Sequence, residues 1–330
     1  MNQIDRAREI IRQTWEADSR PFYVCFSGGK DSTLLLQLVL EVRDASEKEK
    51  KVYAGFANTG YEMNGKTAQI NKLRPQLKAV GVDFVEVKPP AEKKILVRII
   101  GDGYPSPDWR VRYCTGENKE RPQLEQEKEL AQRYGGLLVL QGTRKEESAN
   151  RARTLTREGA PLAKTFIHKR LNIEKFPPLS DVPTSELWEY LRKLATFKWG
   201  GTCDELERGF YAENKLRQRD GCWICTVARE NPTRLKYCTD GQNIFRQYLR
   251  PIREDSTRRC LLLTDKHRKH LEMNREKGHA SGRFTLTARR EILDKLREAE
   301  KLDGVRYISD EELEIIRRKW EETREQFGES

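Results

Sequence analysis

The stretch Phe22-Tyr-Val-Cys-Phe-Ser-Gly-Gly-Lys-Asp-Ser-Thr33 limits what this chain can fold into more than any other. An apolar run rich in β-formers leads into Ser27-Gly28-Gly29, and the spacing of Leu34, Leu35, Leu38 and Val39 predicts a helix over residues 30–40. The segment therefore reads as strand, glycine turn and helix start. Paired glycines let the backbone approach an anion closely, and the unsatisfied N–H groups of a helix start face it. Lys30 adds a point charge, while Ser27, Ser32 and Thr33 add hydroxyls. Such a loop suits phosphate or pyrophosphate.

The spacing is not that of a Walker A loop. Ser-Gly-Gly-Lys-Asp-Ser is instead the signature of the PP-loop ATP pyrophosphatases, which cleave ATP between its α and β phosphates. The plain alternative is a tight turn with no ligand, and the flanking periodicity favours the phosphate loop. Along the chain, residues 4–15 suggest a leading helix and 43–51 a polar linker. Residues 52–57, 83–88 and 136–141 read as further strands, with helices over 66–80 and 123–133. Alternation of this kind predicts an α/β fold with a doubly wound parallel sheet, whose ligands lie beyond the carboxyl ends of the strands. Ser27-Gly-Gly, Asn58-Thr59-Gly60 and Gly142-Thr-Arg144 all occupy such positions. If residues 144–151 were one helix, Arg144 and Arg151 would lie two turns apart on one face, able to grip phosphate-like oxygens bidentately. A solvated helix with a Glu147–Arg151 pair is the competing reading.

The 330 residues suffice for one large domain or two smaller ones. The expected division is a PP-loop domain over 1–175 and a mostly helical, cysteine-containing region over 176–330. Charged residues make up 35% of the chain and the mean hydropathy is −0.83, so a soluble protein is expected. No apolar run is long enough to span a membrane, and the charged first residues do not resemble a signal peptide, which points to the cytoplasm. Seven cysteines without a secretory context suggest thiol or metal chemistry rather than disulfides. A formal charge of +11 suits either a polyanionic partner or a solvated surface around a nucleotide site.

Ser27-Gly-Gly-Lys-Asp-Ser32, Asn58-Thr-Gly-Tyr-Glu62 and Gly142-x-Arg-x-x-Glu-Ser148 with Arg151, in that order, resemble the adenylyl-sulfate and phosphoadenylyl-sulfate reductase superfamily. Pro178-Leu-Ser-Asp181, with the segment from Thr184 to Leu194, is similar to the next stretch of that superfamily's chains. The resemblance implies a PP-loop (adenine nucleotide alpha hydrolase-like) fold. It implies an ATP site of Ser27, Gly28, Gly29, Lys30, Asp31, Ser32, Asn58, Thr59, Gly60, Gly142, Arg144 and Arg151, with Lys30 and Asp31 catalytic. Both of these side chains are expected in solvent at a strand end.

Gly221-Cys-Trp-Ile-Cys-Thr226 holds a C-x-x-C, and Arg112-Tyr-Cys-Thr115 offers a further thiol. Thiols so spaced serve an iron–sulfur cluster, zinc or a redox dithiol. Adenylyl-sulfate reductases carry a Cys-Cys pair at the first position, where this chain keeps only Cys114. The resemblance then implies a 4Fe-4S cluster on Cys114, Cys222 and Cys225, with Cys238 preferred as fourth ligand and Cys203 behind it. Cys114 and Cys222 would meet across the interface of the two domains. Cys25 and Cys260 sit in apolar runs and read as buried thiols.

The reductases' Glu-Cys-Gly-Leu-His nucleophile segment is missing from this sequence. Gly-Cys-Trp-x-Cys-Thr, Arg259-Cys-Leu-Leu-Leu263 and a tail running from Gly282 through Tyr307 to Trp320 look like the sulfurtransferase of DNA phosphorothioation systems, the DndC/SspD type. That likeness implies adenylation of a DNA backbone phosphate, with Mg²⁺ bridging the phosphates, and replacement of a non-bridging oxygen by sulfur. Its partners would be DNA, a cysteine desulfurase as sulfur donor and other DNA-modification subunits. An assimilatory reductase and a tRNA thiolase are the alternatives.

Overall fold

The computed structural model describes residues 2–108, 111–211, 221–227, 237–253, 255, 259–260 and 282–327. In chain order its elements are α1 (Gln3–Ala17), β1 (Phe22–Cys25), α2 (Lys30–Ala45), β2 (Val52–Ala57), α3 (Asn64–Ala79), β3 (Asp83–Val87) and a short α4 (Tyr113–Thr115). Then come α5 (Arg121–Tyr134), β4 (Leu137–Leu140), α6 (Ala149–Arg157), β5 (Thr165–His168), β6 (Ile173–Phe176), α7 (Thr184–Lys193) and α8 (Cys203–Phe210). The remainder is α9 (Asp240–Ile252), β7 (Arg259–Cys260), β8 (Arg283–Phe284), α10 (Leu286–Asp303) and α11 (Asp310–Phe327). Among the described residues, no helix is long and apolar enough to cross a membrane.

The chain forms two compact units that interleave in sequence rather than dividing at one point. One gathers 1–57, 64–87 and 122–220; the other gathers 58–63, 88–121 and 221–330.

The first unit is built on a six-stranded sheet of order β3-β2-β1-β4-β6-β5. Every pairing is parallel except that of the edge strand β5 with β6. The four strands expected from sequence are all present, and β5 and β6 extend the sheet beyond them. Period-two alternation divides each central strand between two cores. Phe22 and Val24 of β1, with Leu138 and Leu140 of β4, pack with α1, α2 and α7. Tyr23, Leu137 and Val139 face the other way, toward Leu130 and Ala131 of α5. Trp15 closes α1 against the sheet, edge-on to Phe22 at 5.1 Å, and its indole N–H donates to Lys48 O at 3.1 Å. The helix α2 is buried nearly all round, which is why its sequence shows so weak an amphipathic stripe.

The second unit is helical. Ile99, Ile100, Phe245, Leu249, Ile292, Leu296 and Ile316 form its core. Arg289 is fully buried there: its Nε donates to Phe284 O at 2.9 Å, and its Nη1 donates to Gly101 O and Thr323 Oγ1. A capping box opens α11, with Ser309 N–H donating to Glu312 Oε2 at 3.1 Å and Glu312 N–H to Ser309 Oγ at 3.2 Å.

One carboxyl in the first unit is out of place electrostatically. Glu127 of α5 is 5% exposed, and burial alone pushes its pKa from 4.5 up to about 8. The fold binds the neutral acid, whereas the unfolded chain releases the proton near the ordinary value. Its contribution is therefore most favourable below that value and is lost as pH rises toward about 8. Denaturant unfolding from about pH 5 to 8 should show wild type losing ~2–3 kcal/mol relative to Glu127→Gln across that window. Parallel pH profiles for the two proteins would contradict this.

Candidate active site

The turn between β1 and α2 is shaped by its own hydroxyls. Ser27 N–H donates to Ser32 Oγ at 3.2 Å, and Ser32 Oγ–H donates to Gly29 O at 2.9 Å. Gly28 takes φ +76°, a backbone conformation that a side chain disfavours, and Gly29 caps α2 with no side-chain acceptor. The first turn of α2 thus starts at the carboxyl end of β1, where a phosphate loop lies. Lys30 N–H donates to Tyr211 Oη at 2.9 Å.

Lys30 and Asp31 are buried, 4% and 8% exposed, not solvated as the sequence suggested. The reason is a chain of charges. Lys30 Nζ donates to Asp31 Oδ2 at 3.0 Å, and Arg144 Nε donates to Asp31 Oδ1 at 2.6 Å. Arg144, 2% exposed, also donates through Nη1 to Val182 O at 2.9 Å, Thr184 Oγ1 at 3.1 Å and Glu146 Oε2 at 3.2 Å. Gly142 makes the approach possible, because a Cβ there would sit 2.9 Å from Asp31 O. Arg144 so placed holds the acid of the loop.

Arg151 lies elsewhere on the same unit. The chain passes through a 3₁₀ turn at Lys145–Glu147, and Ser148 is extended with φ −169° before α6 begins. The two arginines are therefore not two turns apart on one helix. Arg151 is partly exposed and pairs with Glu147, as the competing reading had it.

Asn58, Thr59 and Gly60 follow β2 in sequence and belong to the second unit. Glu62 organises that turn, accepting from Thr59 N–H at 3.2 Å, Thr59 Oγ1 at 2.8 Å and Gly60 N–H at 3.1 Å. The turn then meets the C-x-x-C. Glu62 bridges Cys222, Trp223 N–H donates to Tyr61 O at 2.8 Å, and Thr59 Oγ1 lies 3.4 Å from Cys222 Sγ. Cys225 N–H donates to Cys222 O at 3.0 Å, closing a tight turn.

Cys114, Cys222, Cys225 and Cys238 all lie in this second unit, so Cys114 and Cys222 do not come from opposite sides of a domain boundary. Burial and the charges of Cys222 and Cys225 push the Cys114 thiol up to about 11. Lys119 stands in the same field. The charge of Cys222 raises its pKa, against the effect of burial, with Glu62, Cys114 and Cys225 adding to the rise. Cys238, 8% exposed, accepts from Arg246 Nη1 at 3.7 Å, and the same guanidinium donates to Trp223 O at 3.1 Å. Cys203 lies in the first unit, 3.8 Å from Glu207 Oε1. Cys25 packs partly buried against the Tyr23 core, and desolvation pushes its thiol up, as expected of an inert core thiol. The Cys260 side chain lies outside the described residues.

Among the described residues, no three His, Cys, Asp or Glu side chains lie close enough to enclose a single metal ion. Cys222 and Cys225 act on the charge of Cys114, and all three act on Lys119, within the second unit. Thiols are the donor type that an iron–sulfur cluster and zinc both use. Lys119 and Tyr211 were not singled out from sequence; a lone lysine in a charged run and an aromatic after a helix carry no local signal.

A family model, the phosphoadenosine phosphosulfate reductase domain, matches residues 21–196, which is more than half of the chain. The chain belongs to this family. The reductase-domain match takes in the Ser27–Ser32 loop, Cys114 and the Arg144 segment. A curated relative, an uncharacterized protein of Methanocaldococcus jannaschii, is 26% identical over 252 residues. The match covers 72% of this chain and 44% of the relative, so the chain spans less than half of that protein's length. Among solved structures, the U34-tRNA thiolase NcsA from Methanococcus maripaludis with its 4Fe-4S cluster matches at TM-score 0.39 and 15% identity, covering 92% of this chain and 81% of the thiolase. The NH3-dependent NAD synthetase from Campylobacter jejuni matches at TM-score 0.39 and 13% identity, covering 93% and 98%.

The charge chain at the loop generates a test on the fold itself. Lysine keeps the charge of Arg144 but cannot reach Asp31, Val182 and Thr184 together. Arg144→Lys should lower unfolding free energy by ~1–3 kcal/mol, and Arg144→Ala by ~3–5 kcal/mol, since it strips the buried acid of its partner. An Arg144→Lys protein that unfolds like wild type would show that Arg144 does not hold the loop.

Proposed function

We propose that this reductase-family chain is an ATP pyrophosphatase coupled to sulfur transfer, and that its substrate is a DNA backbone phosphate. The observation that carries the reading is the first turn of α2: N–H groups beside a buried Lys30–Asp31–Arg144 chain, in which two cations flank one carboxylate. Such an arrangement favours the departing pyrophosphate over a neutral ligand. Mg²⁺, bound with the nucleotide at the Ser27–Ser32 loop, would supply neutralisation of phosphate charge. ATP would be held in the first unit by Ser27–Ser32 with Gly142; Arg151 completes the proposed set there.

A non-bridging phosphate oxygen is a poor leaving group. Adenylation converts it into departing AMP; the persulfide sulfur of a cysteine desulfurase, released as hydrosulfide by a thiol reductant that becomes a disulfide, attacks the phosphorus as AMP leaves with the oxygen. The net charge of +11 suits DNA, and the tail from Gly282 to Trp320 carries the likeness to phosphorothioation sulfurtransferases. Cys114, Cys222 and Cys225, with Cys238 as fourth ligand, would hold a 4Fe-4S cluster, which would supply a site for binding or positioning sulfur. Other DNA-modification subunits and a cytoplasmic location belong to the same proposal.

Two measurements test it. Protein purified without oxygen should be brown and bleach in air, and Cys114→Ser, Cys222→Ser, Cys225→Ser or Cys238→Ser should each lose iron and labile sulfide. A colourless chain with one zinc would remove the cluster. Incubation with ATP, Mg²⁺, a desulfurase, cysteine, dithiothreitol and duplex DNA, then nuclease digestion and mass spectrometry, should yield a phosphorothioate-linked dinucleotide. The same incubation with tRNA in place of DNA is the control: sulfur found in tRNA bases, with none in DNA, would redirect the substrate assignment.

A further inference from the structure

Tyr211 stands where a phosphate oxygen would be expected. Its hydroxyl oxygen accepts from the Lys30 N–H at 2.9 Å, and that amide is the first of α2 beyond its cap. In a phosphate loop this N–H is among those that should meet the anion. The ring is not placed by chance. Tyr211 ends α8, with its N–H donating to Glu207 O at 3.0 Å, and its edge packs on Trp188 at 5.1 Å between centroids. Lys30 Nζ lies 5.9 Å from the ring centroid, within cation–π range. A Cβ on Gly29 would lie 3.4 Å from the hydroxyl, in ordinary contact with it, so the phenol packs directly over the loop. Tyr211 is 8% exposed, and all these partners belong to the first unit.

We infer that Tyr211 is an affinity-setting residue of the phosphate site: its hydroxyl holds the Lys30 N–H, and a phosphate oxygen that takes this amide must displace it. The consequence is a site that discriminates against weak anions. A ligand bringing only one poorly placed oxygen exchanges one hydrogen bond for another and gains little. Pyrophosphate, with several charged oxygens against Lys30 and the helix start, gains more than it displaces. This inference rests on reading Ser27–Ser32 as a phosphate loop.

Calorimetric titration with inorganic pyrophosphate, on the full chain and on Tyr211→Phe, tests it. Phenylalanine keeps the ring against Trp188 and Lys30 but removes the competing oxygen. Pyrophosphate should bind the variant about threefold to tenfold tighter, the range of one net hydrogen bond. Adenosine, which has no phosphate, should bind both proteins equally. Tyr211→Leu, measured alongside with a thermal melt of each protein, should tighten pyrophosphate in the same direction. Unchanged or weaker pyrophosphate binding in variants that melt like wild type would overturn the inference alone. Equal shifts for adenosine and pyrophosphate would likewise overturn it and leave Tyr211 a packing role. If neither wild type nor variants bind pyrophosphate, the phosphate-loop reading falls and takes the inference with it.

Discussion

The ion pair between Asp31 and Arg144 is what the nucleotide end of this protein depends on. It joins the first turn of α2 to the segment after β4, two elements separated by more than a hundred residues. Buried pairs of this kind stabilise only when the geometry is good and the remaining polar atoms are satisfied. Here Arg144 also donates to Val182 O and Thr184 Oγ1, and Asp31 also accepts from Lys30. Two buried cations thus meet at one buried carboxylate, and the exposed Glu146 pairs with Arg144 from the other side. These cations lie next to the amides of a helix start, where an anion gains most from them. Gly142 is the backbone condition for the whole arrangement.

The sheet was legible because its strands obey a simple rule. Phe22 and Val24 face one core while Tyr23 faces the other, and residues buried on both sides leave a continuous apolar run. β5 and β6 broke that rule. Thr165–His168 leaves Phe166 and Ile167 exposed on an edge, and Ile173–Phe176 carries Glu174 and Lys175 between its two buried ends, so neither reads as a core strand. The loop itself was legible from Ser27–Ser32, but the burial of Lys30 and Asp31 was not. Burial of a charge is decided by a partner distant in sequence, and nothing near residue 31 points to residue 144. The same holds for Tyr211, whose role arises from a contact 181 positions away. Conversely, the two-turn spacing of Arg144 and Arg151 misled, because Ser148 adopts an extended backbone and starts a new helix at that point.

The thiols show a different limit. Their spacing gave the residue types but not the surroundings. Cys222 and Cys225 form a turn against the Asn58–Glu62 turn, and the same compact unit supplies Cys114, Cys238 and Lys119. Interleaving explains why a division near residue 175 did not describe the chain. Three excursions, beginning after β2, after β3 and at residue 221, build the second unit from separate pieces. A sequence read from end to end assigns such pieces to whichever elements flank them.

The central claim is that the loop on α2 cleaves ATP between its α and β phosphates. Separating the products of α-labelled and γ-labelled ATP on a chromatographic plate, with Mg²⁺ and duplex DNA present, tests it most directly. The account predicts labelled AMP from the first and labelled pyrophosphate from the second. Both should disappear in Asp31→Asn, which keeps the shape of the side chain and removes the charge that joins Lys30 to Arg144. Labelled ADP and inorganic phosphate, or AMP production undiminished in a folded Asp31→Asn protein, would contradict it.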